Sequence, residues 1–177
     1  VVSADTSLSI PDFRAAERVF QLLVQVVGRA GRRAGPSLAI VQSSPRGGEL
    51  IGHALRLDYE SLAQRELAAR TRYFYPPAAR MARLVLADAR PHRACAEAER
   101  LAAALREQGA TIHAGLRVDA AEPCVLRQSR GRLRYQIVVR GPHGGSVQQL
   151  LRAAVEDKRF RPRVERFTLD VDPLDVL

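Results

Sequence analysis

The chain has 177 residues, 46% of them hydrophobic, and a formal net charge of +9. Its apolar runs fall far short of the ~18 residues a membrane span needs, and no secretory leader pattern opens it. Two cysteines, Cys95 and Cys124, do not make a disulfide framework, so a reducing cytoplasm is the expected compartment. The positive balance points to a polyanionic partner, of which nucleic acid is the commonest. Lys158 is the single lysine among 28 basic residues, a bias that also fits the nucleotide composition of a source genome. The chain starts Val1-Val2 and its only methionine is Met81, so a piece of a longer polypeptide is expected.

Residues 1–11 read as a strand end followed by a polar loop closed by Pro11. Asp12 suits the N-cap of a helix running to about Arg32, with Phe13, Ala16, Phe20, Leu23, Val24 and Val27 on one apolar stripe. Its last turns, Gln25-Val26-Val27-Gly28-Arg29-Ala30-Gly31-Arg32, carry two arginines three residues apart. They either grip one anion together or simply offset the negative end of the helix dipole. After Gly35-Pro36, the run Leu38-Ala39-Ile40-Val41 predicts a strand buried on both faces of a mainly parallel sheet. These elements form part of an α/β domain.

A helix or helix pair follows from about Glu49 to Tyr73, with Leu55, Tyr59, Leu62 and Leu67 as its expected buried positions. Tyr75-Pro76-Pro77 stops it and marks the main domain boundary. The divisions are then 1–45, a helical connector 46–78, and a domain 79–177. Within the last, Met81–Ala87 is a strand with Leu84 and Leu86 on one face. Pro91–Gln108 is a helix ended by Gly109, its inner stripe Ala94, Ala98, Leu101 and Leu105. Val118–Leu126 is a weaker strand interrupted by Pro123, and a turn at Ser129-Arg130-Gly131 leads to a strand over Arg132–Arg140. Ser146 is expected to cap a helix ending near Asp157, and Val164–Val171 is the last strand. This β-α-β-β-α-β order predicts two helices on one face of a mostly antiparallel sheet.

Alternation along the strand at 132–140 places Leu133, Tyr135, Ile137 and Val139 toward the core, and Arg132, Arg134, Gln136 and Arg140 on the other face. With Arg127 and Arg130 they make a basic stripe, suited to phosphate or a terminal carboxylate unless it is only a solvated face. His53, His92, His113, His143 and the two cysteines lack close paired spacing, so no metal site is expected. Asp170 and Asp172 share a strand face that suits a hard cation or an exposed strand end. Gly141-Pro142-His143-Gly144-Gly145 is either an anion nest or a connecting loop. No catalytic triad has a local signature, and no phosphate-binding loop is present.

Several stretches closely resemble the PriA family of replication restart helicases (primosomal protein N′). They are Asp12-Phe13-Arg14-Ala15-Ala16-Glu17-Arg18, Phe20-Gln21-Leu22-Leu23 and Gln25–Arg32, then Asp58-Tyr59-Glu60, Glu66-Leu67-Ala68, Arg70 and Tyr75-Pro76-Pro77. Further along come Arg130-Gly131-Arg132-Leu133-Arg134-Tyr135-Gln136 and Leu169-Asp170-Val171-Asp172-Pro173. The resemblance implies that 1–45 ends the second, RecA-like helicase lobe, and that 79–177 is an α+β domain similar to ribosomal protein S10. It implies an ATP site, used with Mg, in which Arg32 is the arginine finger, Arg29 its companion and Gln25 a coupling residue. It also implies a zinc-binding cysteine cluster, expected only upstream of this chain.

Expected partners are forked and single-stranded DNA, primosome proteins and the acidic tail of single-stranded DNA-binding protein, with no membrane. Arg132 and Gln136 match the family's tail-binding pair; Arg127, Arg130 and Arg134 would add DNA or partner contacts. A nucleoid-associated cytoplasmic protein follows, its parent resembling an ATP-dependent 3′–5′ DNA helicase. The sequence departs from the family pattern at Ser3 and Thr6, where an acid and a glycine are usual, and at Ala120–Cys124, which replaces a Gly-Pro stretch. Two alternatives stand beside this reading: a non-catalytic DNA-binding scaffold of the same family, and an RNA- or ribosome-associated S10-like domain.

Overall fold

The structure is a computed structural model that describes residues 2–3, 8–30, 38, 40–44 and 47–174. Among these, no helix is long and apolar enough to cross a membrane. The chain divides into two compact units, Val1–Ala69 and Arg70–Leu177.

In the first unit, strand β1 (Val2–Ser3) pairs in parallel with β2 (Val41–Gln42). Parallel pairing agrees with the sequence, but the predicted burial does not. Leu38 and Ile40 are 84% and 54% exposed, and the described part of the sheet is a two-residue ladder. Helix α1 (Ala15–Ala30) begins three residues after the expected cap. Asp12 instead holds the turn before it: its Oδ1 accepts the Arg14 N–H at 3.0 Å, and its carboxylate pairs with Arg18 at 2.9 Å.

The α1 stripe buries Val19, Phe20 and Leu23 against Leu50, Ala54 and Leu62, which belong to α2 (Gly48–Leu55) and α3 (Tyr59–Tyr73). Two helices replace the single long option because Leu57 turns the chain at a φ of 56° and Asp58 caps the second through the Ser61 N–H at 3.2 Å. That reversal rotates the α3 stripe. Leu62 is buried as expected, whereas Leu55, Tyr59 and Leu67 are 61%, 57% and 47% exposed.

The second unit is a five-stranded antiparallel sheet with two helices on one face. Its strands are β3 (Arg80–Asp88), β4 (Arg117–Val118), β5 (Glu122–Ser129), β6 (Arg132–Gly141) and β7 (Arg166–Val171). The order is β4-β6-β3-β7, with β5 also pairing β6. Helices α4 (Pro91–Ile112) and α5 (Gly144–Glu156) cover Leu84, Leu86, Ile137 and Val139, all fully buried. The β-α-β-β-α-β order expected from the sequence is therefore present, with the short β4 as an addition.

Local departures have physical causes. Helix α4 does not stop at Gly109 but runs to Ile112, which packs on the core. Ser146 lies inside α5 and donates its hydroxyl to the His143 carbonyl at 2.8 Å, while His143 takes the cap position. The expected strand at 118–126 splits in two, because the chain leaves the ladder near Asp119 and β5 carries an irregularity between Pro123 and Gln128. The hairpin turn falls at Arg130-Gly131, where φ values of 49° and 77° match a two-residue turn with both central residues left-handed.

Candidate anion-binding site

The site grows from strand alternation. Along β3, Leu84 and Leu86 face the helices, which leaves Arg83, Val85 and Ala87 on the opposite side of the sheet. Ladder register sets their neighbours. Ala87 lies between Arg134 on β6 and Arg166 on β7, and Val85 lies between Gln136 and Thr168. Small side chains on the central strand, flanked by long basic ones, form a cleft of about 330 Å³. Arg83, Arg130, Arg132, Arg134 and Arg166 line it, and Asp170 is the one carboxylate among its lining residues. Concentrating like charge over a low-dielectric floor gives the cleft a positive potential.

These arginines are held to different degrees. Arg132 is paired with Glu165 at 2.6 Å, both side chains being 38% exposed. Arg134 reaches the Leu126 carbonyl at 3.4 Å, and Arg130 sits on the exposed hairpin turn. Gln136 is on the predicted face but is only 4% exposed. Its Oε1 accepts the Arg83 Nε–H at 2.8 Å, and its Nε2 donates to Glu122 Oε1 at 2.8 Å. Beside them, burial pushes the Cys124 thiol above its ordinary range, against the opposing pull of Arg134 and Arg83. Arg127 does not line the cleft; its charge is felt instead by Tyr135 on the helix side of the strand. Arg140 faces away into its own cluster, gripping both Asp119 oxygens at 2.5 and 2.6 Å above the Tyr75 ring.

Sequence reasoning missed Arg83 and Arg166. Met81-Arg83-Val85-Ala87 is an alternating set on β3, but the apolar residues on the facing set dominated its appearance. Arg166 sits at the first position of β7, where strand boundaries are hardest to place.

The other predicted residues fall in the first unit. Gln25 and Arg29 lie one helical turn apart on α1, and both are exposed. Arg32, Ala4, Asp5 and Thr6 lie outside the described residues. Among the described residues there is no cluster of histidine, cysteine or acidic side chains able to hold a metal. Asp172 is engaged with Arg80 at 3.2 Å.

Residues 71–174 match the family model described as the primosomal protein N C-terminal domain. Over 177 aligned residues the chain is 37% identical to the replication restart protein PriA of Treponema pallidum (strain Nichols), covering 100% of this chain and 26% of that protein. Against its counterpart in Chlamydia pneumoniae, identity is 33% over 174 residues, 98% of this chain and 23% of that protein. With that of Bacillus subtilis (strain 168), identity is 32% over 177 residues, 98% of this chain and 21% of that protein. The chain spans about a quarter of the length of these curated relatives. A domain match over most of the second unit, joined to similarity along the whole chain, shows that it belongs to the PriA family of replication restart proteins and corresponds to their C-terminal region.

Proposed function

We propose that the chain serves replication restart by holding forked DNA through its arginines and by docking the acidic tail of single-stranded DNA-binding protein in the cleft between β6, β3 and β7. The observation that carries this reading is the excess of five arginines over one carboxylate around a single 330 Å³ cleft. An acidic peptide is suited to it because guanidinium groups pair carboxylates with two parallel hydrogen bonds. In this reading the second unit is an S10-like domain and the first ends a RecA-like lobe. Gln25, Arg29 and Arg32 then complete an ATP–Mg site whose phosphate loop belongs to another lobe, and arginine stabilises the charge on the transferring phosphoryl group. Primosome proteins are the further partners this role calls for.

Two titrations of the chain test the proposal. Forked DNA binding followed by fluorescence anisotropy is expected to weaken steeply between low and physiological salt, since phosphate contacts release counterions. A flat salt response would overturn the DNA part. The tail peptide of single-stranded DNA-binding protein is expected to bind the parent chain and to lose affinity when Arg132 and Gln136 are both replaced by alanine. Equal binding would overturn the docking part.

A further inference from the structure

Strand β7 ends the β4-β6-β3-β7 order, so among the described residues only one of its edges is paired. One bond fixes which backbone groups the other edge presents. Asp172 donates its N–H to the Met81 carbonyl at 2.8 Å, on the β3 side. Backbone groups alternate in direction along a strand, so Asp170, Thr168 and Arg166 also turn theirs toward β3. Phe167, Leu169 and Val171 turn theirs to the open edge. Toward the helix layer, Leu169 and Val171 join Leu151 and Val155 of α5 in an apolar groove of about 340 Å³. Val155 is 73% exposed and Val171 46%. An unpaired edge beside exposed apolar side chains is a template for another strand.

We infer that this edge is a dimerisation surface, on which β7 of a second copy of the chain pairs antiparallel about a two-fold axis at Thr168 and joins two five-stranded sheets into one.

A two-fold interface needs a surface complementary to itself, and the sequence Arg166-Phe167-Thr168-Leu169-Asp170 is complementary to its own reverse. In this register Arg166 faces the partner's Asp170, and the pair is made twice. Asp170 lies across the ladder from Arg83 and Arg166 from Ala87, yet neither is in an ion pair among the described residues. Phe167 faces the partner's Leu169, and both present open N–H and C=O groups, so they exchange two hydrogen bonds. A shift of the axis to Leu169 would instead set Arg166 against Asp172, which Arg80 already holds at 3.2 Å. On the groove's α5 flank, Arg152 and Glu156 again offer one charge of each sign. The arginine cleft includes Arg166, Thr168 and Asp170 in its lining, so the two clefts would meet edge to edge on one sheet face.

Sedimentation velocity of the full chain over a concentration series tests the inference. A monomer–dimer equilibrium is expected, with a dissociation constant on the order of micromolar for so small an interface. Leu169→Lys puts a charge into the groove at the open edge and should weaken association about 10-fold or more. Cysteine trapping reads the register. Opposed residues that share no backbone hydrogen bonds stand about 4.5 Å apart at Cα, within disulfide reach. In a Cys95→Ser background, which leaves only the buried Cys124, Thr168→Cys should therefore give a disulfide-linked dimer under mild oxidation by copper–phenanthroline. Arg166→Cys, facing a carboxylate, should not. A chain that stays monomeric would overturn the inference and leave the groove to an extended segment of a different protein. A dimer indifferent to Leu169→Lys would overturn it too, as would cross-linking through Arg166→Cys and not through Thr168→Cys. Should Leu169→Lys fail to fold, the two cysteine variants at exposed positions decide.

Discussion

Glu97 on α4 accepts the backbone N–H of Arg163 at 2.7 Å, across 66 positions of sequence. The same carboxylate holds Arg100 at 2.6 Å, and Arg100 in turn donates to the carbonyls of Arg159 and Arg161. One buried acid thereby staples the connection between α5 and β7 to the helix layer. Replacing Glu97 by alanine is expected to lower the unfolding free energy by about 1–3 kcal/mol, the range for losing charged hydrogen bonds from a buried site. Urea denaturation checks it, and an unchanged midpoint would show that the connection is held by other means.

Acid should unfold the second unit for a related reason. The Arg100 guanidinium holds the Glu97 carboxyl below its ordinary range, the Arg90 backbone N–H does so for Asp88, and Arg159 does so for Asp157. Because these values are lowered on folding, the unfolded chain takes up protons first. Their stabilisation is complete at neutral pH, above the unfolded carboxylate values, and is lost as pH falls from about 4.5 through the lower folded values. Urea midpoints measured from neutral pH down to about 3 should fall, and Glu97→Gln should flatten part of that fall.

Gly141 closes β6 where α5 comes nearest. A Cβ placed there would stand 2.8 Å from Val147 Cγ2 and 2.9 Å from Ser146 Oγ. Gly141→Ala should therefore cost about 1–3 kcal/mol by overpacking. At Gly145, in the first turn of α5, nothing lies within 4 Å of such an atom. Gly145→Ala should leave stability unchanged or raise it by up to about 1 kcal/mol. Melting the two variants side by side separates packing from backbone entropy.

Arg140 grips Asp119 with two short bonds, donates to the Tyr73 carbonyl at 3.0 Å and stacks over Tyr75. Arg140→Lys keeps the charge but loses the planar fork, so it should recover little of the roughly 1–3 kcal/mol lost in Arg140→Ala. Forked DNA binding should be no more affected by either change than the loss of fold requires. A specific loss of DNA affinity at full stability would move Arg140 into the binding surface.

Period and turn chemistry made much of this fold readable. The apolar stripe at Ala94, Ala98, Leu101 and Leu105 is fully buried, and Arg130-Gly131 turns the hairpin where two left-handed residues are needed. The basic face of β6 was likewise visible in its alternation. What escaped depends on neighbours distant in sequence. Gln136 looked outward by parity, yet Arg83 and Glu122 enclose it from two other strands. Tyr59 and Leu67 looked buried by spacing, yet the reversal at Leu57 turned the second helix onto Leu62 instead. The role of Arg32 lies beyond the described residues and rests on the resemblance alone.

The position of β3 has a consequence for how the protein is made. It is the first strand of its sheet to leave the ribosome, yet its two partners begin only at Arg132 and Arg166. Until β7 has emerged, one edge of the central strand has no ladder partner. The unit therefore closes its sheet only once β7 has been made, and a nascent chain halted before Arg166 would present that bare edge to chaperones or to other chains.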